Sequence, residues 1–127
     1  MVERRSELIQ HKIRFDEEQG ILRLQVLDDF TPESIDEMFT KVKELFNGKE
    51  PKLILVDISK MPNLSLDKNT RKLLQEKAVP FDKMALLGAT PITRMMAKVI
   101  LTVLGKSAST YFCRTENEAL SWLKGEE

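Results

Sequence analysis

The sequence predicts an α/β domain: a mixed five-stranded sheet, with one antiparallel N-terminal strand and four parallel strands, joined by four helices in the order β-β-α-β-α-β-α-β-α. Three observations carry that prediction. Leu53-Ile54-Leu55-Val56 is a short, wholly apolar and branched run that ends in Asp57, the pattern of a parallel strand buried on both faces. Two stretches near the N-terminus alternate apolar and polar residues, as a hairpin with one buried face does. Downstream, strand-like runs alternate with segments of helical period, which implies a parallel sheet with crossover helices.

The first strand is predicted over Leu8 to Phe15, with Ile9, His11, Ile13 and Phe15 on one face and Gln10, Lys12 and Arg14 on the other. Asp16-Glu17-Glu18-Gln19-Gly20 is a turn. Ile21 to Leu27 follows, with Leu22, Leu24 and Val26 opposite Arg23 and Gln25. Thr31-Pro32-Glu33 then opens a helix: threonine caps, proline suits the first helical position, and the acid suits the positive end of the dipole. Its stripe is Ile35, Met38, Phe39, Val42, Leu45 and Phe46. After the central strand a second helix is predicted from about Ser65 to Ala78, with Leu66, Thr70, Leu73 and Leu74 on a narrower stripe and Pro80 ending it. Lys83 to Gly88 holds a second buried strand. Thr90-Pro91 repeats the cap-and-proline start, and Ile92, Met95, Met96, Val99, Ile100 and Val103 are expected to face inward. Ser109 to Arg114 is the last strand. Thr115-Glu116-Asn117-Glu118 is a capping box, in which Thr115 and Glu118 satisfy each other's backbone donors, and it opens the final helix with Ala119, Leu120, Trp122 and Leu123.

At 127 residues the chain makes one domain, expected to span 1–127. Twenty basic residues balance twenty acidic ones, which gives no support for nucleic acid as a partner. A single cysteine, Cys113, excludes an internal disulfide and suits a reducing compartment. The N-terminal residues lack the apolar core of a secretory signal. Pro91 to Leu104, the most apolar stretch, is interrupted by Arg94 and Lys98; as a helix it reaches about 21 Å, short of the ~30 Å hydrocarbon layer. No membrane span is expected, and the cytoplasm is the expected location.

The element order, with Leu53-Ile54-Leu55-Val56-Asp57-Ile58-Ser59 at its centre, resembles the STAS fold of anti-sigma-factor antagonists. The segments Thr90-Pro91-Ile92-Thr93-Arg94-Met95-Met96-Ala97-Lys98 and Thr115-Glu116-Asn117-Glu118-Ala119-Leu120-Ser121-Trp122-Leu123 are closer still to the divergent SpoIIAA-like group, described as STAS/CRAL-TRIO-type proteins. The resemblance implies a docking module whose switch is a serine at the start of the helix after the central strand. That family's pattern is an acid-serine-serine-glycine run. Counted from Asp57, its four places fall on Ser65, Leu66, Asp67 and Lys68, so the switch motif is absent.

The candidate regulatory loop is Asp57, Ser59, Ser65 and Asp67. Ser65 can accept phosphate at a helix start, but an N-cap is the preferred reading. Asp67 can stand as a fixed negative charge, or simply complement the helix dipole. Asp57 ends a buried strand and is expected to hold the next loop by hydrogen bonds. Thr90, Arg94 and Lys98 form a candidate anion site, with free backbone donors at a helix start and two bases on successive turns; the plainer reading is a capped helix with a solvated basic stripe. His11, the lone histidine, has no cysteine or histidine partner for a metal site, and Cys113 is expected buried and unreactive. Met95, Met96 and Trp122 are expected in the core. No catalytic set, metal or cofactor is expected. The first expectation is a non-enzymatic interaction or regulatory module, with a protein partner or a homodimer, using an apolar sheet face left bare of helices. The alternative is a binding protein for a lipid-like or anionic small molecule.

Overall fold

A computed structural model describes residues 11–61 and 67–125. The strands are β1 (Lys12–Asp16), β2 (Ile21–Gln25), β3 (Leu53–Asp57), β4 (Lys83–Leu87) and β5 (Thr110–Cys113). The helices are α1 (Pro32–Phe46), α2 (Lys68–Lys77), α3 (Pro91–Val103) and α4 (Glu116–Lys124), and a 3₁₀ turn at Ser107–Ser109 precedes β5. The predicted α/β class and element order are therefore those observed. The sheet order is β1-β2-β3-β4-β5, with β1 antiparallel to β2 and every other pair parallel. Each successive parallel strand is added on the same side of the last.

Strand alternation distributes the core. Leu22, Leu24, Ile54, Val56 and Leu86 point to one face and meet Met38, Val42 and Phe46 of α1 and Ile100 and Leu101 of α3. Leu53, Leu55, Ala85 and Cys113 point to the other face and meet Ala119 and Leu123 of α4. Three helices thus cover one face, and α4 alone covers part of the other. The uncovered part of that second face is polar, not apolar as expected: Lys12 and Arg14 of β1 and Arg23 and Gln25 of β2 occupy it. Arg23 binds Asp16 at 2.9 Å and Glu116 at 3.0 Å, tying β2 to the start of α4. The hydrogen bond from Arg23 holds the Asp16 carboxyl below its ordinary range.

Several local expectations change. Residues 1–10 lie outside the described residues, so the Leu8 start of the first strand and Ile9 are not described; from Lys12 on, β1 has the expected alternation. The helix placed at Ser65 begins at Lys68, because Asp67 is its N-cap and accepts from Thr70 N at 2.8 Å. Thr31 forms a capping box with Ser34, whose hydroxyl accepts Thr31 N–H at 2.8 Å. At α4 the expected box is half made: Thr115 accepts from Glu118 N at 3.1 Å, but the Glu118 carboxylate accepts from Arg114 N at 2.9 Å instead of from Thr115.

The largest correction concerns α3. Ile92, Met95, Val99 and Val103, expected inside, are 66%, 61%, 49% and 66% exposed. The side of α3 that meets the body is Thr93, Ala97, Ile100, Leu101 and Leu104, with Met96 at its margin. Both arcs are apolar at helical spacing, and the connection from β4 through the Thr90 cap turns the second arc to the sheet.

Candidate functional site

Parallel α/β sheets concentrate binding chemistry at the carboxyl ends of their strands. Here that edge is built from the turns after β3 and β4. Asp57 Oδ1 accepts the Ser59 amide at 2.9 Å and the Ser59 hydroxyl at 2.6 Å, so the strand-end acid locks the chain that follows it, as expected. Ile58 N donates to Leu87 O and Gly88 N to Cys113 O, which continues the ladder across the edge. Gly88 has φ +88°, and a Cβ there would lie 2.7 Å from Ser59 Cα. The two turns are thus in backbone contact, and glycine is required at Gly88 on both counts.

The remaining candidate residues are not gathered into one site. Ser65 lies outside the described residues. Asp67 is exposed and acts as the α2 cap, and the hydrogen bond from Thr70 N lowers its pKa. Thr90 caps α3, accepting from Thr93 N at 3.3 Å and donating to Thr93 Oγ1 at 3.1 Å. Arg94 Nε donates back to Ala89 O at 3.2 Å, and Lys98 Nζ sits 5.8 Å from the centre of the Phe112 ring. Both bases are therefore engaged with the protein, and the anion-site expectation gains nothing from their placement. His11 is buried edge-on against Phe30, with centroids 5.1 Å apart; its Nδ1 accepts from Leu27 N at 3.2 Å, and burial lowers its pKa. The Cys113 thiol donates to Leu86 O at 3.5 Å and is pushed up to about 11 by burial, so it stays protonated at neutral pH. Trp122 is only partly buried; it stacks on Tyr111 at 5.4 Å, and Lys83 Nζ lies 4.6 Å from its ring centre. Among the described residues no group of three or more metal-ligating side chains converges.

Two features escaped the sequence reading. One is the outer face of α3. Its signal was present: apolar residues occupy positions 92, 95, 96, 97, 99, 100, 101, 103 and 104, a wider arc than a single buried face needs. The other is a cavity of about 170 Å³ between the sheet and helices α1, α2 and α3, whose described lining is apolar apart from Thr93. Its size and shape depend on how side chains meet, which no linear pattern records.

A family described as a domain of unknown function (DUF7793) matches residues 15–126. The chain belongs to this family. No curated protein matches it. The match covers nearly the whole chain, so the family unit runs from the end of β1 through α4 and includes the Asp57–Gly88 edge, both faces of α3 and the cavity. Among the described residues no helix of this family member is long and apolar enough to cross a membrane.

Proposed function

We propose that this protein is a non-enzymatic, STAS-like interaction module that pairs with a second copy of itself through the outer face of α3. One observation carries the reading: four large apolar side chains on a single helix face stand half to two-thirds exposed. Scattered apolar residues are ordinary on a surface, but a contiguous stripe of this kind marks a contact region.

The spacing of the stripe favours a second copy as the occupant. Ile92, Met95, Val99 and Val103 follow intervals of three, four and four, close to the seam spacing of paired helices. An antiparallel two-fold pair sets Ile92 near Val103 of the second copy and Met95 near its Val99. The reactive candidates support contact over chemistry: Asp57 is bonded to Ser59, and the Cys113 thiol is buried and protonated.

The face is small. Thirteen residues make a helix of about 20 Å, and two such stripes reach only the lower end of stable interfaces. After the cost of association, a dissociation constant of about 100 µM is expected. Sedimentation velocity between low and high micromolar concentration tests this. The wild-type chain should move from monomer to dimer, and Val99→Glu should remain monomeric with an unchanged circular dichroism spectrum. A wild-type chain that stays monomeric throughout, or a variant that dimerises equally well, overturns the reading.

A further inference from the structure

We infer that the cavity between α1, α2, α3 and the sheet is a binding site for a compact apolar molecule of the size of a substituted benzene ring or a short branched alkyl group. This goes beyond the pairing of α3 and does not depend on it, because the cavity lies on the opposite side of that helix.

Volume sets the size of the ligand. At about 170 Å³ the space slightly exceeds an engineered cavity of ~150 Å³ that stays dry and takes up benzene. It falls below the ~300 Å³ at which ordinary ligand pockets begin, so a compact guest matches it best. The walls set the chemistry. Leu24, Ile54 and Val56 rise from the sheet, Met38 and Val42 from α1, and Ala97 and Leu101 from α3. Thr93 contributes the one polar side chain among the described lining residues, and its oxygen already accepts from Thr90. A charged or strongly hydrogen-bonding ligand would lose its water there without recompense.

Two further observations favour occupancy. The lining includes Met38 and Met84, flexible and polarisable side chains that adapt to a guest. The wall formed by α2 is also lightly seated. None of its residues is fully buried, and its share of the lining comes from Leu74 and from Ala78 and Val79 just beyond its end. A helix held this lightly can shift to admit a molecule where a helix seated in the core cannot.

The probes are toluene and xenon, added to the full chain. Methyl NMR of the wild-type protein should show saturable shifts on toluene addition, confined to methyls lining the cavity such as those of Met38, Val42 and Leu101. The thermal midpoint should rise with toluene concentration. Ala97→Phe fills the space, and it should abolish both responses while leaving a cooperative transition. If that variant does not fold, ¹²⁹Xe NMR of the wild-type chain gives the answer: saturable exchange with a single site supports the inference. Absence of saturable shifts up to the solubility limit of toluene, shifts of equal size in the folded filled variant, or no xenon exchange overturns it. The readouts are taken at protein concentrations where the chain is monomeric, so failure of α3 pairing leaves them unaffected.

Discussion

Replacing Gly88 by alanine should cost far more than replacing any other turn glycine, and the structure says by how much. Gly88 and Gly48 both have positive φ, at +88° and +79°. Holding an alanine in the left-handed region costs about 1–2 kcal/mol at either position. At Gly48 a new Cβ meets nothing within 4 Å, so the conformational cost is the whole effect. At Gly88 the same Cβ falls 2.7 Å from Ser59 Cα and 2.9 Å from Ser59 N, and backbone has to move. Forced overpacking of this kind adds about 1–3 kcal/mol. Gly88→Ala should therefore lose about 2–5 kcal/mol and Gly48→Ala about 1–2 kcal/mol. For a chain of this length each kcal/mol corresponds to roughly 3–5 °C in the thermal midpoint. Urea denaturation of both variants measures the difference. Amide shifts at Ile58 and Ser59 should move in Gly88→Ala and stay in place in Gly48→Ala. Equal losses in the two variants, with Ser59 undisturbed, would refute the claim that the turns after β3 and β4 are pressed together.

Two other expectations concern buried titratable groups. Burial lowers the folded pKa of His11, and the nearby Asp28 only partly opposes it, so the folded state favours neutral imidazole. The contribution is then fully present above the unfolded value near 6.5 and is lost as pH falls below it; the urea midpoint should drop between pH 7.5 and 5.5, and His11→Gln, which keeps an acceptor but does not titrate, should flatten that drop. Cys113, buried and pushed up to about 11, should resist a maleimide at pH 7 in the native state and react at once in denaturing urea, and native labelling at the rate of a free thiol would contradict its placement.

The architecture was legible in the sequence because each element carries its own period and its own punctuation. Leu53–Val56 is apolar at every position and lies between two parallel neighbours; Thr31 and Thr90 cap the helices their prolines announce. The choice between Ser65 and Asp67 as the α2 cap was not legible, since both are good cap residues two positions apart and only the hydrogen bond to Thr70 N decides. The spacing of Thr90, Arg94 and Lys98 was read correctly, but spacing does not say where a long side chain ends; Arg94 turns back to the Ala89 carbonyl and Lys98 lies near Phe112. The orientation of α3 was misread for a related reason. A helix with two apolar arcs satisfies the buried-helix pattern whichever arc faces the sheet, and the arc of Ile92, Met95, Val99 and Val103 is the one left outside.

The polar groups at the carboxyl edge explain why the outer arc of α3 matters. In a sheet of this kind that edge is where unspent donors and acceptors usually meet a ligand. Here the named candidates are spent on the fold itself: Asp57 on Ser59, Asp67 on Thr70, Thr90 on Thr93, Arg94 on Ala89. Each bond stabilises a turn or a helix start. Among what α3 leaves facing water are Ile92, Met95, Val99 and Val103, side chains that gain by leaving water and carry no chemistry of their own. Under the proposed pairing, it is this apolar surface, and not the polar edge, that a second copy covers.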